Sequence, residues 1–306
     1  MGIKSLIKRT FRAAGFEISR HAASHGTLFV PPGHFYSPIV DLNELQSDRA
    51  RVFDRDRDIP DIDLNEDRQL KLVQQFQKFY ADIPFEETEG GANLYYYDNE
   101  WYRHGDAIVL ACMLRYARPK RLFEFGSGFS SCVTLDINRL FLDGAVECTF
   151  IDPNPERLQL LLSKHNASVN IVKSRAQDLD VSALSTLEAN DILFIDSTHV
   201  AKAGSDVNFH LFEVLPRLAP GVLVHFHDVF YPFEYPESWF FDQNRSWNEN
   251  YILRAFLAGN KQYEIVFFNH FMALRHLEET ANAMPLFRKD PGGALWIRKL
   301  HRNDRL

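Results

Sequence analysis

Apolar segments of two lengths alternate along the chain from residue 106 onward. The longer segments carry apolar residues three or four positions apart, a spacing that predicts helices. These predicted helices cover 106–117, 129–142, 154–165, 205–218 and 246–259. The shorter segments are continuous apolar runs, which predict buried strands over 121–128, 146–152, 169–174, 191–197, 221–228, 263–269 and 292–300. Buried strands separated by helices indicate an α/β fold with a parallel sheet covered on both faces.

The first 90 residues lack this alternation and divide into two predicted parts. Residues 1–24 have the pattern of a basic amphipathic helix. Residues 25–90 are predicted to form an accessory segment, with an acidic linker over 54–67 and a helix over 66–83. Residues 91–306 then form the α/β domain.

The basic helix suits the surface of an anionic membrane. Its five basic residues face a single acid, Glu17, and its apolar residues fall on one helical face. A peripheral membrane contact through residues 1–20 is therefore one use that the sequence leaves open. Docking of this helix on its own domain, or on a second copy of the chain in a homo-oligomer, is the alternative.

Composition and charge narrow the class of protein. The net charge of −7 over 306 residues argues against a nucleic acid partner, because such partners need a basic surface. The three cysteines match no zinc spacing, so we expect buried thiols in a reducing compartment. No apolar run reaches the roughly 18 residues of a membrane span. We therefore predict a cytoplasmic protein.

Polar residues gather where the predicted parallel strands end, which is where open α/β sheets bind ligands. The segment Glu124–Gly128 ends the first strand, and its glycines let the backbone turn sharply and approach a ligand closely. A dinucleotide site would have a third glycine in place of Ser131 and no carboxylate beside the pyrophosphate. Glu124 suits a cationic ligand, and Asp152 suits a ribose. S-adenosylmethionine has a positive charge and a ribose but no phosphate.

This order of motifs resembles the class I S-adenosylmethionine-dependent methyltransferases. The sequence FEFGSG resembles their first motif, and the stretches YYYDNEWYRHGDAIVLACMLRYARPKRLFEFGSGFSS, DILFIDSTHV and HFHDVFYPFEYP are similar to a bacterial group found among glycan and secondary-metabolite genes. The resemblance implies a Rossmann-like, seven-stranded, mostly parallel sheet with an antiparallel last strand, here preceded by an N-terminal helical and loop extension. It implies S-adenosylmethionine as the cofactor. The residues implied to bind it are Glu124, Gly126, Ser127, Gly128, Asp152, Gln177, Asp178 and Asp196.

Histidines and aspartates cluster at the ends of the fourth and fifth predicted strands. His225 and His227 share one face of the strand over 221–228 because side chains alternate along a strand. If the two strands are neighbours, Asp196, His199, His227 and Asp228 surround one crevice. Methyl transfer to a hydroxyl needs a proton acceptor, so His199 or His227 is the candidate general base, oriented by Asp196 or Asp228. We expect His225, deeper in the strand, to be a core residue.

A divalent metal ion is the alternative use of the same cluster. A metal could bind the acceptor oxygen and lower its pKa, with Asp196, Asp228 and His227 as ligands. Catechol-type methyltransferases resemble this arrangement, with an Asp after the fourth strand and Asp-Asn after the fifth. Val229 stands here at the Asn position, and histidine ligands favour a softer ion than magnesium.

Aromatic residues follow the fifth strand in a proline-containing loop. We predict that this loop forms a wall or lid of the acceptor pocket, and that the segment 94–106 closes the other side. The candidate acceptor-binding residues are Tyr96, His104, Tyr231, Tyr235 and Trp239.

The sequence thus predicts an enzyme that methylates a hydroxyl of a sugar, a glycan or a small secondary metabolite, with a histidine base. The alternatives are a metal-dependent methyltransferase of the catechol type, a nicotinamide-dependent oxidoreductase and a non-catalytic module of a biosynthetic assembly.

Overall fold

A computed structural model describes residues 29–165 and 168–301. The predicted basic helix over 1–24 lies outside these residues, and so does its membrane contact. The chain divides into two compact units between Ser47 and Asp48. The domain boundaries expected from the sequence stay predictions.

In the described part of the first unit, residues 29–47, a short helix, α1 (Leu42–Ser47), follows a turn-rich segment. Asp41 precedes this helix and accepts a hydrogen bond from the N–H of Asn43 through its carboxylate (2.7 Å). A carboxylate at this position satisfies a helix N–H that has no partner within the helix.

The second unit contains a seven-stranded sheet, which confirms the predicted fold class. Its strands are β1 (Arg121–Phe125), β2 (Glu147–Ile151), β3 (Asn170–Val172), β4 (Ile192–Ile195), β5 (Leu223–Phe226), β6 (Tyr263–Phe268) and β7 (Leu295–Lys299). Their order across the sheet is β3-β2-β1-β4-β5-β7-β6. The last strand, β7, runs antiparallel to both of its neighbours, β5 and β6.

Helices cover both faces of this sheet, as the continuous apolar strands predict. The α-helices described in this unit are α2 (Arg49–Val52), α3 (Glu66–Tyr80), α4 (His104–Ala117), α5 (Phe129–Phe141), α6 (Glu156–Ser163), α7 (Asp206–Phe209), α8 (Glu237–Phe241), α9 (Glu249–Leu257), α10 (Asn269–Arg275) and α11 (Leu277–Ala283). Short 3₁₀ helices lie at Ala176–Asp178, Val181–Thr186 and Pro285–Arg288. Every residue of β4 and β5 is buried, so these two strands form the centre of the core.

The helix predicted over 205–218 is less regular than its apolar spacing suggests. It begins as α7, continues as a π-helical segment over His210–Val214 and ends as a 3₁₀ turn over Leu215–Arg217. Pro216 lies in that last turn, and proline cannot donate the backbone hydrogen bond that continues an α-helix. In the described residues, no helix is both long enough and apolar enough to cross a membrane.

Candidate active site

A cleft of about 1010 Å³ opens at the carboxyl ends of β1, β2, β4 and β5. It lies at the topological switch point, since the chain leaves β1 for β2 on one side and returns to β4 on the other. The glycine-containing loop after β1, together with Asp152 and Gln177, lines the half above β1 and β2, which we call the donor half. His199, His227 and Trp239 line the half above β4 and β5, which we call the acceptor half.

The loop after β1 turns sharply at Gly126, a position where only glycine fits. This residue has φ +79°, and a Cβ there would lie 1.7 Å from the carbonyl oxygen of Asp196. The next residue, Ser127, donates hydrogen bonds from its N–H and from its hydroxyl to Oδ2 of Asp152, both at 2.9 Å. The N–H of Gly128 donates to Oγ of Ser131 (3.0 Å). Backbone crowding and the Asp152 carboxylate therefore fix the loop at the floor of the cleft.

Glu124 lies beneath this loop and does not line the cleft. Its side chain is fully buried, and Oε1 accepts hydrogen bonds from the hydroxyls of Ser130 and Ser131, both at 2.7 Å. Burial raises the pKa of Glu124 to about 8, so the neutral acid predominates at neutral pH. The structure thus places Glu124 as a support of the loop, whereas the sequence suggested a charged contact with the ligand.

The remaining candidate donor residues separate into two groups. Asp152 and Gln177 line the cleft, and the side-chain amide of Gln177 donates to the carbonyl oxygen of Gly204 (3.0 Å). Asp178 lies outside the cleft lining, where its two carboxylate oxygens accept hydrogen bonds from Arg175 at 2.6 Å each. The ion pair with Arg175 lowers the pKa of Asp178 and occupies both of its oxygens.

His199 is held in the acceptor half by a buried carboxylate. Nδ1 of its ring lies 2.8 Å from Oε2 of Glu249, in the first turn of α9. Its Nε2 lies 3.3 Å from Oδ1 of Asp196 and 3.7 Å from Oδ2 of Asp228. The indole of Trp247 packs on the imidazole at 4.4 Å between ring centroids. The contact with Glu249 fixes one ring nitrogen and leaves the other beside two carboxylates.

His227, the second histidine of the acceptor half, also lies beside carboxylates. Its Nδ1 lies 3.4 Å from Oδ1 of Asp196, and its Nε2 lies 3.4 Å from Oδ2 of Asp106, in the first turn of α4. Asp106 is itself held by the amide of Asn269 at 3.0 Å. The neighbouring positions of β4 and β5 bring Asp196 and His227 together, as expected if these strands pair.

Opposite charges decide the protonation of this cluster. Burial would lower the pKa of His199, but Asp196, Glu249 and Asp228 outweigh it and raise the pKa to about 10. The pKa of His227 also lies well above its usual value, because Asp228 and Asp196 outweigh the effect of burial. Burial would raise the pKa of Asp196, yet the two histidines hold it well below its usual range. At neutral pH, His199 is therefore protonated and Asp196 is ionised, and the raised pKa of His227 favours its protonated form as well.

Two residues of the cluster adopt a left-handed backbone conformation. His199 has φ +58° and Asp228 has φ +57°. This region costs most residues about 1–2 kcal/mol, although aspartate and histidine adopt it more often than others. The surrounding packing and ion pairs thus keep two polar side chains at the cleft in a conformation that a free chain would avoid.

Comparisons with known proteins identify the family of this chain. Residues 123–229 match the family model described as a methyltransferase domain. The chain belongs to the class I S-adenosylmethionine-dependent methyltransferases. An uncharacterized protein of Archaeoglobus fulgidus is 34% identical over 196 residues, which span 62% of this chain and 84% of that protein.

Two solved structures are similar to the methyltransferase over most of its length. The SAH-bound methyltransferase of Podospora anserina is 18% identical, has a TM-score of 0.43, and is aligned over 86% of this chain and 99% of its own. The O-methyltransferase of Streptomyces achromogenes that is involved in tomaymycin synthesis, solved with SAM, is 14% identical. It has a TM-score of 0.43 and is aligned over 84% of this chain and 96% of its own.

The nicotinamide alternative gains no support from the fold of this methyltransferase. A dinucleotide-binding sheet of the usual order ends β4-β5-β6, all parallel. Here β7 is inserted antiparallel between β5 and β6.

Of the candidate acceptor residues, Trp239 lines the cleft and four lie elsewhere. Tyr231 packs against Phe268 and Phe271 in the core, and buried Tyr235 stacks on Trp239. His104 stacks on Tyr97, and Tyr96 packs edge-to-face on Phe129. The sequence segment 94–106 instead contributes Glu100 and Trp101 to the cleft, on its donor half.

His225 is buried, as expected of a core residue, between Phe194 and Trp296. Its ring is parallel to that of Phe194 at 3.9 Å, and neither ring nitrogen has a hydrogen-bond partner among the described residues. Burial without a hydrogen bond holds the pKa of His225 well below its usual value, so this histidine is neutral.

The sequence alone did not single out four residues that complete the site. Asp106 and Glu249 are the buried partners of the two histidines, and Arg245 and Trp247 line the acceptor half. Asp106 and Glu249 each stand in the first turn of a predicted helix, where an acid is ordinary because of the helix dipole. These two acids differ from ordinary acids in the first turn of a helix because their side chains are buried. The sequence pattern does not reveal that burial.

The metal alternative finds no ready-made site in the described part of the methyltransferase. Within residues 29–165 and 168–301, no group of three or more His, Cys, Asp or Glu side chains has an arrangement suited to a metal ion. Among the candidate ligands, His227 instead lies at ion-pair distance from Asp196 (3.4 Å) and from Asp228 (3.8 Å).

Proposed function

We propose that this methyltransferase transfers the methyl group to a hydroxyl of a sugar, a glycan or a small secondary metabolite, with His199 as the general base. The observation that carries the proposal is the contact of 2.8 Å between Nδ1 of His199 and buried Glu249. It fixes the imidazole so that Nε2, the atom that must receive the proton, lies beside Asp196 and Asp228, which line the cleft together with His199.

The donor half has the chemistry that S-adenosylmethionine requires. Gly126 and Ser127 bring the backbone to the floor of the cleft, and Asp152 offers carboxylate oxygens that suit ribose hydroxyls. Gln177 is placed beside the end of β3, where an amide suits the edge of an adenine. Asp196, which stays ionised, supplies a negative charge for a cationic ligand. When bound, S-adenosylmethionine supplies an activated methyl group on a positively charged sulfur.

His199 is suited to accept a proton from a hydroxyl. The same carboxylates that raise its pKa to about 10 stabilise the imidazolium that forms when it takes the proton. Glu249 accepts the hydrogen bond from Nδ1, so the ring keeps its orientation during the step. Neutral His199 is the active form, and the protonated form must lose its proton before each reaction.

The walls of the acceptor half suit a ring-shaped acceptor. Trp239 and Trp247 meet nearly at right angles, with ring centroids 5.2 Å apart, and both line the cleft. Indole faces stack on sugar rings and on flat phenolic rings. These walls therefore support a cyclic hydroxyl compound as the acceptor.

A panel of sugars and phenols tests this proposal, with release of S-adenosylhomocysteine as the readout. We expect release to depend on a hydroxyl acceptor and to fall with His199→Gln, while binding of S-adenosylmethionine stays intact. Release that needs an amine acceptor, or that is unaffected by His199→Gln, would overturn the assignment of His199 as an oxygen-activating base.

A further inference from the structure

Arg245 lies in a corner formed by two tryptophans of the acceptor half. Its guanidinium carbon is 4.2 Å from the ring centroid of Trp239 and 4.4 Å from that of Trp247. Its backbone N–H also donates to the carbonyl oxygen of Trp239 (2.8 Å). Cation–π contacts thus position the guanidinium against two aromatic rings at the wall of the cleft.

This guanidinium has no acidic partner among the residues that the structure describes. Arg175, in the lining of the same cleft, shows the contrast, because two of its guanidinium nitrogens, Nε and Nη2, donate to the carboxylate of Asp178. Arg245 keeps its N–H donors for a ligand, and an arginine fork matches a carboxylate or a phosphate better than any other common group. Lys202, in the same lining, has no ion pair with any residue of 29–165 or 168–301 and adds a second positive charge.

Arg245 and the proposed base are separated by a single indole. Trp247 contacts both residues. Its ring centroid lies 4.4 Å from the guanidinium carbon of Arg245 and 4.4 Å from the ring centroid of His199. Beyond His199 the site turns acidic, with Asp196 and Asp228. The acceptor half is therefore polarised, with a negative end beside the base and a positive end at Arg245.

We infer that the acceptor is a hydroxylated ring compound that carries an anionic group, a carboxylate or a phosphate, and that Arg245 binds this group. This rests on the proposed function and adds the substrate class. A ring against the tryptophans presents its hydroxyl to His199 and its anion to Arg245. The polarity opposes the reverse orientation, which would place the anion among the carboxylates.

Binding calorimetry in the presence of saturating S-adenosylhomocysteine tests the inference without methyl transfer. The probes are two matched pairs: 3,4-dihydroxybenzoate with its methyl ester, and glucose 6-phosphate with glucose. We expect at least one acid to bind about 10- to 100-fold more tightly than its neutral counterpart, because the guanidinium forms charge-assisted hydrogen bonds with the acid alone. The pair with the larger difference shows whether the anion is a carboxylate or a phosphate.

Three variants decide the source of that difference. Arg245→Gln should abolish the preference for the acid, and Arg245→Lys should keep part of it, since lysine retains the charge without the fork. Arg157→Gln is the matched control, because Arg157 also packs on a tryptophan of the cleft, Trp101 at 3.9 Å, but on the donor half. It should keep the preference.

Two results contradict the inference. Wild-type protein that binds neither acid more tightly than its neutral counterpart shows that Arg245 does not recognise an anion. Equal loss of the preference in Arg157→Gln and Arg245→Gln shows that the general charge of the cleft is responsible. Either result leaves the proposed methyl transfer intact, whereas a protein that binds the acids but methylates no hydroxyl would reject the proposed function alone.

Discussion

At the scale of single residues, His199 is the residue on which the proposed chemistry depends. Three carboxylates surround it, from Asp196, Asp228 and Glu249, and each comes from a different part of the chain. Their combined charge explains why its pKa is high although the ring is buried. An imidazole with such a high pKa is a strong base but is seldom free of its proton at neutral pH. The rate of methyl transfer should therefore depend on pH.

We expect kcat/KM for the donor to rise with pH up to about 10, the raised pKa of His199, because only the neutral imidazole accepts a proton. Glu249→Gln removes one of the charges that raise this pKa, so the rise should end at a lower pH. Steady-state rates between pH 6 and 10.5 provide the measurement. A rise that ends at the same pH in wild type and Glu249→Gln would reject this role for Glu249.

His199→Gln should lower kcat by about 10²- to 10⁴-fold, the usual contribution of general acid–base catalysis. Binding of S-adenosylmethionine, measured by calorimetry, should change little. His227→Gln is the matched comparison in the same cluster, and we expect it to keep the pH dependence. If His227→Gln removes that dependence and His199→Gln keeps it, the base is His227.

Glu124 should make the stability of the fold fall as the pH rises. Its pKa is about 4.5 in an unfolded chain and about 8 in the fold, because burial disfavours the charged form. The folded state is therefore destabilised progressively from about pH 4.5 to pH 8. Glu124→Gln stays neutral at every pH, so it should lose less stability than wild type over this range. Urea unfolding at pH 5 and pH 8.5 measures the difference, and equal losses would show that Glu124 is ionised in the fold.

At the scale of elements, the loop after β1 explains why a glycine is required. Gly126→Ala combines a positive φ with a Cβ 1.7 Å from the carbonyl oxygen of Asp196, so the backbone must move. Gly144→Ala is the matched control, since it has φ +68° and no atom within 4 Å of the new Cβ. We expect the control to lose about 1–2 kcal/mol of unfolding free energy, the cost of the left-handed conformation. Gly126→Ala should lose more and should also weaken donor binding.

Urea denaturation and calorimetry of the two glycine variants check this expectation. Similar losses of stability in both variants, with donor affinity unchanged, would mean that the loop tolerates a side chain. The crowding at Gly126 would then have no part in forming the site.

The α/β class of the fold was largely predictable from the sequence, whereas the contacts of the acceptor half were not. Continuous apolar runs reveal buried parallel strands because both faces of such a sheet are covered. The contact between His199 and Glu249 joins residues 50 positions apart, and no periodicity connects them. The aromatic loop after β5 shows the same limit. Its composition indicated a pocket wall, but Tyr231 and Tyr235 are buried in packing and Trp239 lines the cleft.

At the scale of the whole molecule, the candidate active site is a cleft with two kinds of wall. Its donor half rests on the loop after β1 and on Asp152, and its acceptor half combines the histidine cluster with two tryptophans.

The metal alternative makes a distinct prediction at this scale. A chelator should leave methyl transfer unchanged if His199 acts as the base, whereas loss of activity that added Mg²⁺, Mn²⁺ or Zn²⁺ restores would assign Asp196, Asp228 and His227 to a metal.

The central claim is that the cleft binds S-adenosylmethionine through the loop that Asp152 holds. Calorimetric titration of S-adenosylmethionine into wild type, Asp152→Ala and Ser127→Ala tests it most directly. Ser127→Ala removes one of the two hydrogen bonds from Ser127 and leaves the carboxylate for the ribose, so it separates loop support from ligand contact. We predict micromolar binding by wild type, a loss of about tenfold or more in Asp152→Ala, and a smaller loss in Ser127→Ala. Absence of binding by pure, folded wild-type protein would contradict the account.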